Sequence, residues 1–261
     1  MDIATLVGVV GSLIIVFTVQ ILEGGNPASI LLIPSMLLVF GGGLGAAMSG
    51  GILKDTIGIG ASLQKAFLAK VVASDKLVED VVKLAERARR EGLLALEDAV
   101  KEVPHPFLKR GLQLAIDGTD PEELHDILHA EITAKKKADK AASKMFENMG
   151  GFAPTIGIIG TVMGLVHVLE NLDKPESLGH SIAAAFCATL WGVLAANLLW
   201  LPIANRLGRL SQLEVDQMEL TIEGVLAIQS GSNPRLVAQK LRSLLPPGGK
   251  PAAEDKGKKA A

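Results

Sequence analysis

Few residues of this 261-residue sequence are suited to chemistry, and they do not form a catalytic set. His125 and His129 lie four residues apart on a predicted helix, a spacing that can bind zinc, but Asp126 stands where the metalloprotease pattern needs glutamate. Cys187 is the single cysteine, so it has no partner for an internal disulfide or a metal site. The sequence also contains no nucleophile–base pair and no glycine-rich phosphate loop. It therefore predicts no enzyme, no metal site and no bound cofactor.

Three polar side chains suit a different chemistry, because they lie inside long apolar segments. They are Thr161, Thr189 and Asn197. Polar groups inside a membrane often line an ion path, although a threonine hydroxyl can equally bond to a carbonyl of its own helix. The interiors of these segments contain no Asp, Glu, Lys or Arg. If the chain takes part in moving protons or sodium ions, the carboxylate must therefore come from another chain.

The apolar segment around Thr161 spans residues 149–172 and has the features of a packed membrane helix. Pro154 lies inside it, where proline removes a backbone donor and tends to kink a helix. Small residues recur beside Thr161 at spacings of three and four, a pattern that lets membrane helices approach closely. These residues are Gly157, Gly160 and Gly164. The pattern predicts a bundle or pathway helix rather than a lipid-facing anchor.

The composition indicates a membrane protein. Hydrophobic residues make up 49% of the chain and aromatic residues 3%, and the mean hydropathy is +0.37. The apolar residues are concentrated in four runs, each about long enough to cross a bilayer as a helix: 3–22, 29–49, 150–171 and 181–204. Short loops join them into two hairpins, 1–49 and 149–204. We predict an all-α integral membrane protein with four transmembrane helices in contact with lipid. The net charge of −2 gives no argument for nucleic acid.

The remaining segments are polar and charged. Residues 50–148 are predicted to form a helical domain, in which Asp75–Arg90 has the periodicity of an amphipathic helix. Residues 205–245 are predicted to extend the fourth span as a helix. The tail, 246–261, consists mostly of Pro, Gly, Lys and Ala and is predicted to be disordered.

The distribution of positive charge predicts the topology. Of the 26 lysines and arginines, 16 lie in 50–148, nine lie after residue 205 and one, Lys174, lies between the third and fourth spans. The loop between the first two spans has none. Because positive loops stay on the cytoplasmic side, both termini and the helical domain are predicted to be cytoplasmic.

Five segments, taken in order, resemble the A subunit of the bacterial flagellar stator, the MotA type of the MotA/TolQ/ExbB superfamily. No one of them is specific alone, but the ordered set covers nearly the whole chain. They are the glycine-rich 39–46, the charged 87–97, the span motifs 153–165 and 188–197, and the C-terminal 233–246.

This resemblance implies a function and a set of partners. The chain would be one of five copies around two copies of a B subunit, which carries the ion-binding aspartate in its single span and binds peptidoglycan. Inward proton or sodium flow through the complex in the bacterial cytoplasmic membrane would drive torque on the rotor of the flagellar motor. The transported ion would be the only small ligand.

The resemblance also implies roles for six residues. They are Thr161 and Thr189 for the ion pathway, Pro154 and Pro202 for torque generation, and Arg89 and Glu97 for rotor contact. Gly92 separates the last two, so they are not expected to pair with each other on one helix.

Two alternatives stay open at this point. An ExbB- or TolQ-like energiser of another membrane machine belongs to the same superfamily, but that type has three spans with a single N-terminal one. A non-conducting membrane scaffold would explain the glycine faces but not the prolines and threonines. Thr161 and Thr189 are compatible with either a proton or a sodium ion.

Overall fold

The computed structural model describes residues 3–69, 74–173 and 175–245. Of the described residues, 88% are helical and none lies in a strand, which confirms the all-α prediction. The predicted tail, 246–261, lies outside the described residues. The helices are α1 (Ile3–Leu22), α2 (Ile33–Ser49), α3 (Leu53–Ile57), α4 (Ile59–Leu68), α5 (Ser74–Glu91), α6 (Glu97–Lys101), α7 (Pro106–Ile116), α8 (Pro121–Glu170), α9 (Pro175–Leu194), α10 (Leu201–Gln229) and α11 (Pro234–Ser243).

Three stretches of the described residues are long and apolar enough to cross a membrane. They are Thr5–Leu22, part of α8, and part of the continuous stretch Leu178–Gln229. Helix α2 is apolar but shorter than these. It begins later than the predicted residue 29 because Pro27–Ile30 forms a separate 3₁₀ turn, and Pro34 occupies its first turn.

Helix α8 starts with a side-chain cap and a proline. The Asp120 side chain accepts a hydrogen bond from the Glu122 backbone N–H at 2.9 Å, and Pro121 is the first helical residue. Glu122 and Glu123 place negative charge in the first turn, where the helix dipole favours it. The helix then runs for 50 residues and continues through Pro154.

The described residues divide into two compact units. We call 3–69, 136–173 and 175–212 the membrane unit, and 74–135 and 213–245 the helical domain. The divisions fall within α8 and α10, so the helical domain includes the end of the chain's C-terminal helical extension.

The helical domain has an aliphatic core. The amphipathic helix α5 buries the side chains predicted to form its apolar stripe, among them Val81, which is fully buried. Leu112, Leu128, Val225 and Leu241 are also fully buried in this core. Each such side chain contributes about 1.5–3 kcal/mol on burial. Because Val225 and Leu241 belong to residues 213–245, this C-terminal segment is an integral part of the domain.

The membrane unit has smaller cores and an apolar exterior. One core lies around Phe146 and Leu207, and another around Val39 and Trp191. The Trp191 indole N–H donates to the Ile30 carbonyl, which ties α9 to the turn before α2. Many large apolar side chains face outward, as in helices that contact lipid or other membrane chains.

Candidate functional site

Helices α8 and α9 approach each other where both lack side-chain bulk. A methyl group added at Gly164 would lie 2.6 Å from Ala185 Cβ, and one at Gly160 would lie 2.6 Å from Ala188 Cβ. At Gly192 an added Cβ would lie 2.6 Å from the Ala153 carbonyl oxygen. These distances leave no room for a larger residue, so the small-residue face predicted from the sequence is a helix–helix contact.

Thr161 and Thr189 meet inside this contact. Their hydroxyl groups are within hydrogen-bond distance of each other, and both residues are partly buried. Thr161 Oγ1 lies 3.2 Å from the carbonyl oxygens of Gly157 and Ala185, and Thr189 Oγ1 lies 3.3 Å from the Gly157 carbonyl oxygen. The alternative of a bond within one helix therefore applies to Thr161 in part, whereas Thr189 bonds across to the other helix.

This hydroxyl pair is rich in hydrogen-bond acceptors. Two hydroxyl and two carbonyl oxygens lie together, and each has two lone pairs. The two hydroxyls and the two helical N–H groups bonded to these carbonyls supply only four hydrogens for these eight lone pairs. Unused lone pairs can accept a hydrogen bond from water or a protonated group, or can coordinate a hard cation, which prefers oxygen ligands. Sequence reasoning missed the two carbonyls, because backbone oxygens leave no signal in residue types.

The two predicted prolines lie in the same membrane unit. Pro154 sits on α8 against α9, since a Cβ added at Gly192 would lie 3.2 Å from Pro154 Cα. Pro202 lies near the start of α10 and follows a π-helical stretch, Ala195–Trp200. There the Leu201 N–H bonds to the carbonyl of Ala196, five residues earlier. Such wide turns are rare and often occur at functional sites.

Pro202 borders a groove that is separate from the hydroxyl pair. The groove has a volume of about 490 Å³ and lies between α1 and the α9–α10 stretch. Its polar lining comes from Thr5, Ser12 and Asn197. Asn197 Nδ2 donates to the Val193 carbonyl at 2.9 Å, so the exposed Asn197 amide is held on its own helix.

Arg89 and Glu97 lie in the helical domain and are both exposed. Gly92, at φ 86°, ends α5 and turns the chain between them, so they lie on different helices. Their neighbours are paired: Arg87 with Glu91 at 3.1 Å, and Asp98 with Lys101 at 2.8 Å, which holds the pKa of Asp98 below its ordinary value.

By contrast, no ion pair within the described residues involves Arg89 or Glu97. Between them Leu94 is 73% exposed. The segment 89–97 therefore presents positive, apolar and negative side chains to the solvent, among them Arg89, Leu94 and Glu97. Such a mixed surface suits a charged protein partner.

The two predicted histidines lie together on α8 in the helical domain. The rings of His125 and His129 stack with centroids 5.7 Å apart and are exposed. Among the described residues, no group of three His, Cys, Asp or Glu side chains is arranged to hold a metal ion.

The fold and the site together define a helical membrane protein with a hydroxyl pair between two closely packed helices and a charged helical domain. A sequence model of the MotA/TolQ/ExbB proton channel family matches residues 99–220. Motility protein A of Bacillus subtilis (strain 168) is 34% identical over 247 residues, which cover 94% of this chain and 92% of that protein. Chemotaxis protein PomA of Vibrio alginolyticus is 33% identical over 245 residues, which cover 94% of this chain and 96% of that protein.

Two solved structures agree with these matches. The structure of C. jejuni MotAB has a TM-score of 0.91 at 29% identity and covers 96% of this chain and 98% of that chain. The flagellar MotAB stator complex from Bacillus subtilis has a TM-score of 0.86 at 34% identity and covers 93% and 96%. The chain therefore belongs to the MotA/TolQ/ExbB proton channel family and, within it, to the motility protein A group, which confirms the resemblance found in the sequence.

Proposed function

We propose that this chain is the A-type subunit of an ion-driven flagellar stator. The observation that carries the proposal is the hydroxyl pair, Thr161 with Thr189, which lies beside two carbonyl oxygens between two closely packed membrane helices and keeps lone pairs free to accept a further ligand. Membership of the motility protein A group supports it, since the similar structures are MotAB assemblies and one of them is a flagellar stator complex.

The ion-binding carboxylate comes from a B-type partner. The interiors of the four apolar segments of this chain contain no acidic side chain. A single-span B subunit that supplies an aspartate beside Thr161 and Thr189 completes the site, and the expected assembly is five A chains around two B chains. An ion on that aspartate neutralises a charge that is costly inside the membrane.

The proposed topology has four spans. Helix α2 counts as the second span, although it is shorter than the others. The excess of Lys and Arg in 50–148 and after residue 205 favours a cytoplasmic location for the helical domain and both termini. The host membrane is the bacterial cytoplasmic membrane.

In this proposal, torque is generated when ion loading in the membrane unit changes the charged contact that the helical domain makes with the rotor. Pro154 and Pro202 lie on helices that also extend toward the cytoplasmic side, and each removes one backbone hydrogen bond. They are the points where a rearrangement around the loaded site bends α8 and α10. Arg89 and Glu97 then act on charges of the rotor. Each ion that crosses supplies about 2.3 kcal/mol per 100 mV of membrane potential.

The hydroxyl pair is compatible with two coupling ions. Four clustered oxygens form part of a ligand set for sodium, and the same oxygens can order water for a proton. Measuring ion flux in a proton gradient and in a sodium gradient separates these possibilities.

The test is co-expression with the single-span partner, followed by particle stoichiometry and ion flux in vesicles. Thr161→Val keeps the side-chain shape but removes the hydroxyl, so flux is expected to fall about tenfold, the effect of about 1.4 kcal/mol on a barrier, while assembly is kept. Thr18→Val is the matched control, since among the described residues the Thr18 hydroxyl bonds to the Ile14 carbonyl of its own helix, at 2.7 Å.

Several outcomes would count against the proposal. Equal flux in the Thr161→Val and Thr18→Val complexes would remove the hydroxyl pair from the pathway. A chain that forms no complex with the partner would favour the scaffold alternative, and a complex that conducts without supporting swimming would favour the ExbB- or TolQ-like energiser. Pro154→Ala is expected to assemble but to stop rotation, and normal swimming of that variant would exclude a torque role.

A further inference from the structure

A partly buried carboxylate joins three helices of the membrane unit. Asp139 lies on α8, and its side chain is 19% exposed. One carboxylate oxygen accepts a hydrogen bond from Lys65 Nζ on α4 at 3.2 Å, and the other accepts from Ser211 Oγ on α10 at 2.8 Å. Because the two oxygens bond to different elements, the side chain of Asp139 holds α4, α8 and α10 together.

The position of this carboxylate along the helices is informative. Asp139 and Pro154 lie on the same continuous helix, and so do Ser211 and Pro202. At 1.5 Å of rise per residue, the carboxylate is roughly 22 Å from Pro154 and Ser211 is roughly 14 Å from Pro202 along these axes. A rigid helix carries a change of bend at a proline to its far end.

The space between the prolines and Asp139 is filled with apolar side chains. Met145, Phe146 and Met149 of α8 pack with Ile203 and Leu207 of α10 in one buried cluster. Apolar contacts of this kind are not directional, and methionine side chains repack readily, so they set the register of two helices less tightly than a directional bond does. A hydrogen-bonded ion pair is directional, and at this place it fixes the relative register of the helices.

We infer that Asp139 is a positioning residue for torque generation. By clamping α4 and α10 to α8, it makes the cytoplasmic ends of these helices move as one body, so that bending at the prolines is transmitted instead of being lost as sliding between helices. This inference rests on the proposed stator function.

The link that Asp139 makes between α4 and α10 is tested by a distance measurement that needs no rotor. Spin labels are placed at the exposed positions Gln64 and Arg209, on α4 and α10, in a Cys187→Ala chain that is diluted with unlabelled chain in the complex. The distance distribution is expected to be narrow with Asp139 present and broad in Asp139→Asn. An equally narrow distribution in the variant would overturn the inference without touching the proposed function.

The role in torque is tested by measuring stall torque and passive ion flux on the same complexes. Asp139→Asn and Lys65→Met are each expected to lose most stall torque while ion flux and membrane content stay at wild-type levels. In the double variant the losses are expected to be less than additive, because Asp139→Asn already removes the ion pair that Lys65→Met removes. Lys144→Met is the matched control, since it removes an exposed ion pair, Lys144 with Glu147, from the same helix.

Each result has one meaning. Torque that falls only in proportion to flux, or together with membrane content, would show a general structural role and overturn the inference. Full torque in Asp139→Asn would overturn it as well. Should Asp139→Asn fail to accumulate, Lys65→Met decides by the same criteria. A wild-type complex that turns no motor would refute the proposed function. The distance measurement would still show whether Asp139 holds α4 and α10 in a fixed arrangement.

Discussion

The helical domain and the membrane unit bury their helices in opposite ways. In the helical domain the contacts are made by large aliphatic side chains, such as Leu112 and Leu128, which are 0% exposed. In the membrane unit α8 and α9 meet where side chains are missing, as at Gly192. Large apolar side chains in the same part of α8, for example Ile159 at 53% exposure, lie outside this contact.

The difference follows from the two solvents. In water, burial of apolar surface is worth roughly 25 cal/mol per Å², so the helical domain is stabilised by what its core contains. Lipid tails are as apolar as leucine, so burying the same side chain in a membrane gains little, and close backbone approach stabilises the contact instead. The helical domain should therefore be sensitive to removal of atoms, and the membrane unit to their addition.

The largest effect is expected when a side chain is truncated in the core of the helical domain. Leu128→Ala should lower the free energy of unfolding of that domain by about 2–5 kcal/mol, because it deletes a fully buried side chain and leaves a cavity. The measurement is hydrogen exchange of the helical-domain amides in the purified complex. The matched variant is Ile15→Ala in α1, where the side chain is 64% exposed on an apolar helix, and little change is expected. Equal losses in the two variants would contradict the contrast.

The second largest effect is expected when a methyl group is added inside the membrane unit. Gly192→Ala places a methyl group 2.6 Å from the Ala153 carbonyl oxygen, a backbone atom that cannot turn aside, so a loss of about 1–3 kcal/mol is expected. Gly208→Ala is the control, since nothing lies within 4 Å of its added Cβ and alanine favours a helix by about 0.5–1 kcal/mol. Thermal unfolding of the two purified variants should shift in opposite directions. A Gly192→Ala protein as stable as wild type would mean that α8 and α9 separate easily.

The same contrast explains how far the sequence predicts the structure. Periodicity predicts α5 well, because in water one face of a helix must be apolar, and the predicted stripe through Val81 is the buried one. The spacing of Gly157, Gly160 and Gly164 likewise predicts a close contact on α8. In both cases one local pattern reflects one physical requirement.

Other features depend on pairs of distant residues and have no local pattern. The bond between Asp139 and Ser211 joins residues 72 positions apart, and it could not be told from solvated charge in the sequence. The contribution of 213–245 to the helical domain was missed for a similar reason, since its amphipathic pattern also fits a free helical extension. The Gly157 and Ala185 carbonyls beside the threonines required the backbone itself.

The smallest expected effect concerns the N-cap of α7 in the helical domain. His105 caps α7: its Nδ1 accepts a hydrogen bond from the Leu108 N–H at 3.3 Å, which requires a neutral ring. Burial of the ring lowers the pKa of His105 below its ordinary value. Because the folded state disfavours protonation, this stabilisation is present above the unfolded-state pKa of about 6.5 and is lost as the pH falls through the lower folded-state pKa.

The cap is expected to contribute about 0.5–2 kcal/mol at neutral pH. Hydrogen exchange of α7 between about pH 7 and pH 5, corrected for intrinsic rates, should therefore show weakening protection in the wild type. In His105→Asn the amide oxygen can keep the cap without titrating, so protection should change little with pH, and in His105→Ala it should be low throughout. The hydroxyl pair of the membrane unit has no group that titrates in this range, so exchange of the α8 residues around Thr161 should stay constant. A parallel loss of protection in both units would mean that acid acts on the whole protein and not on this cap.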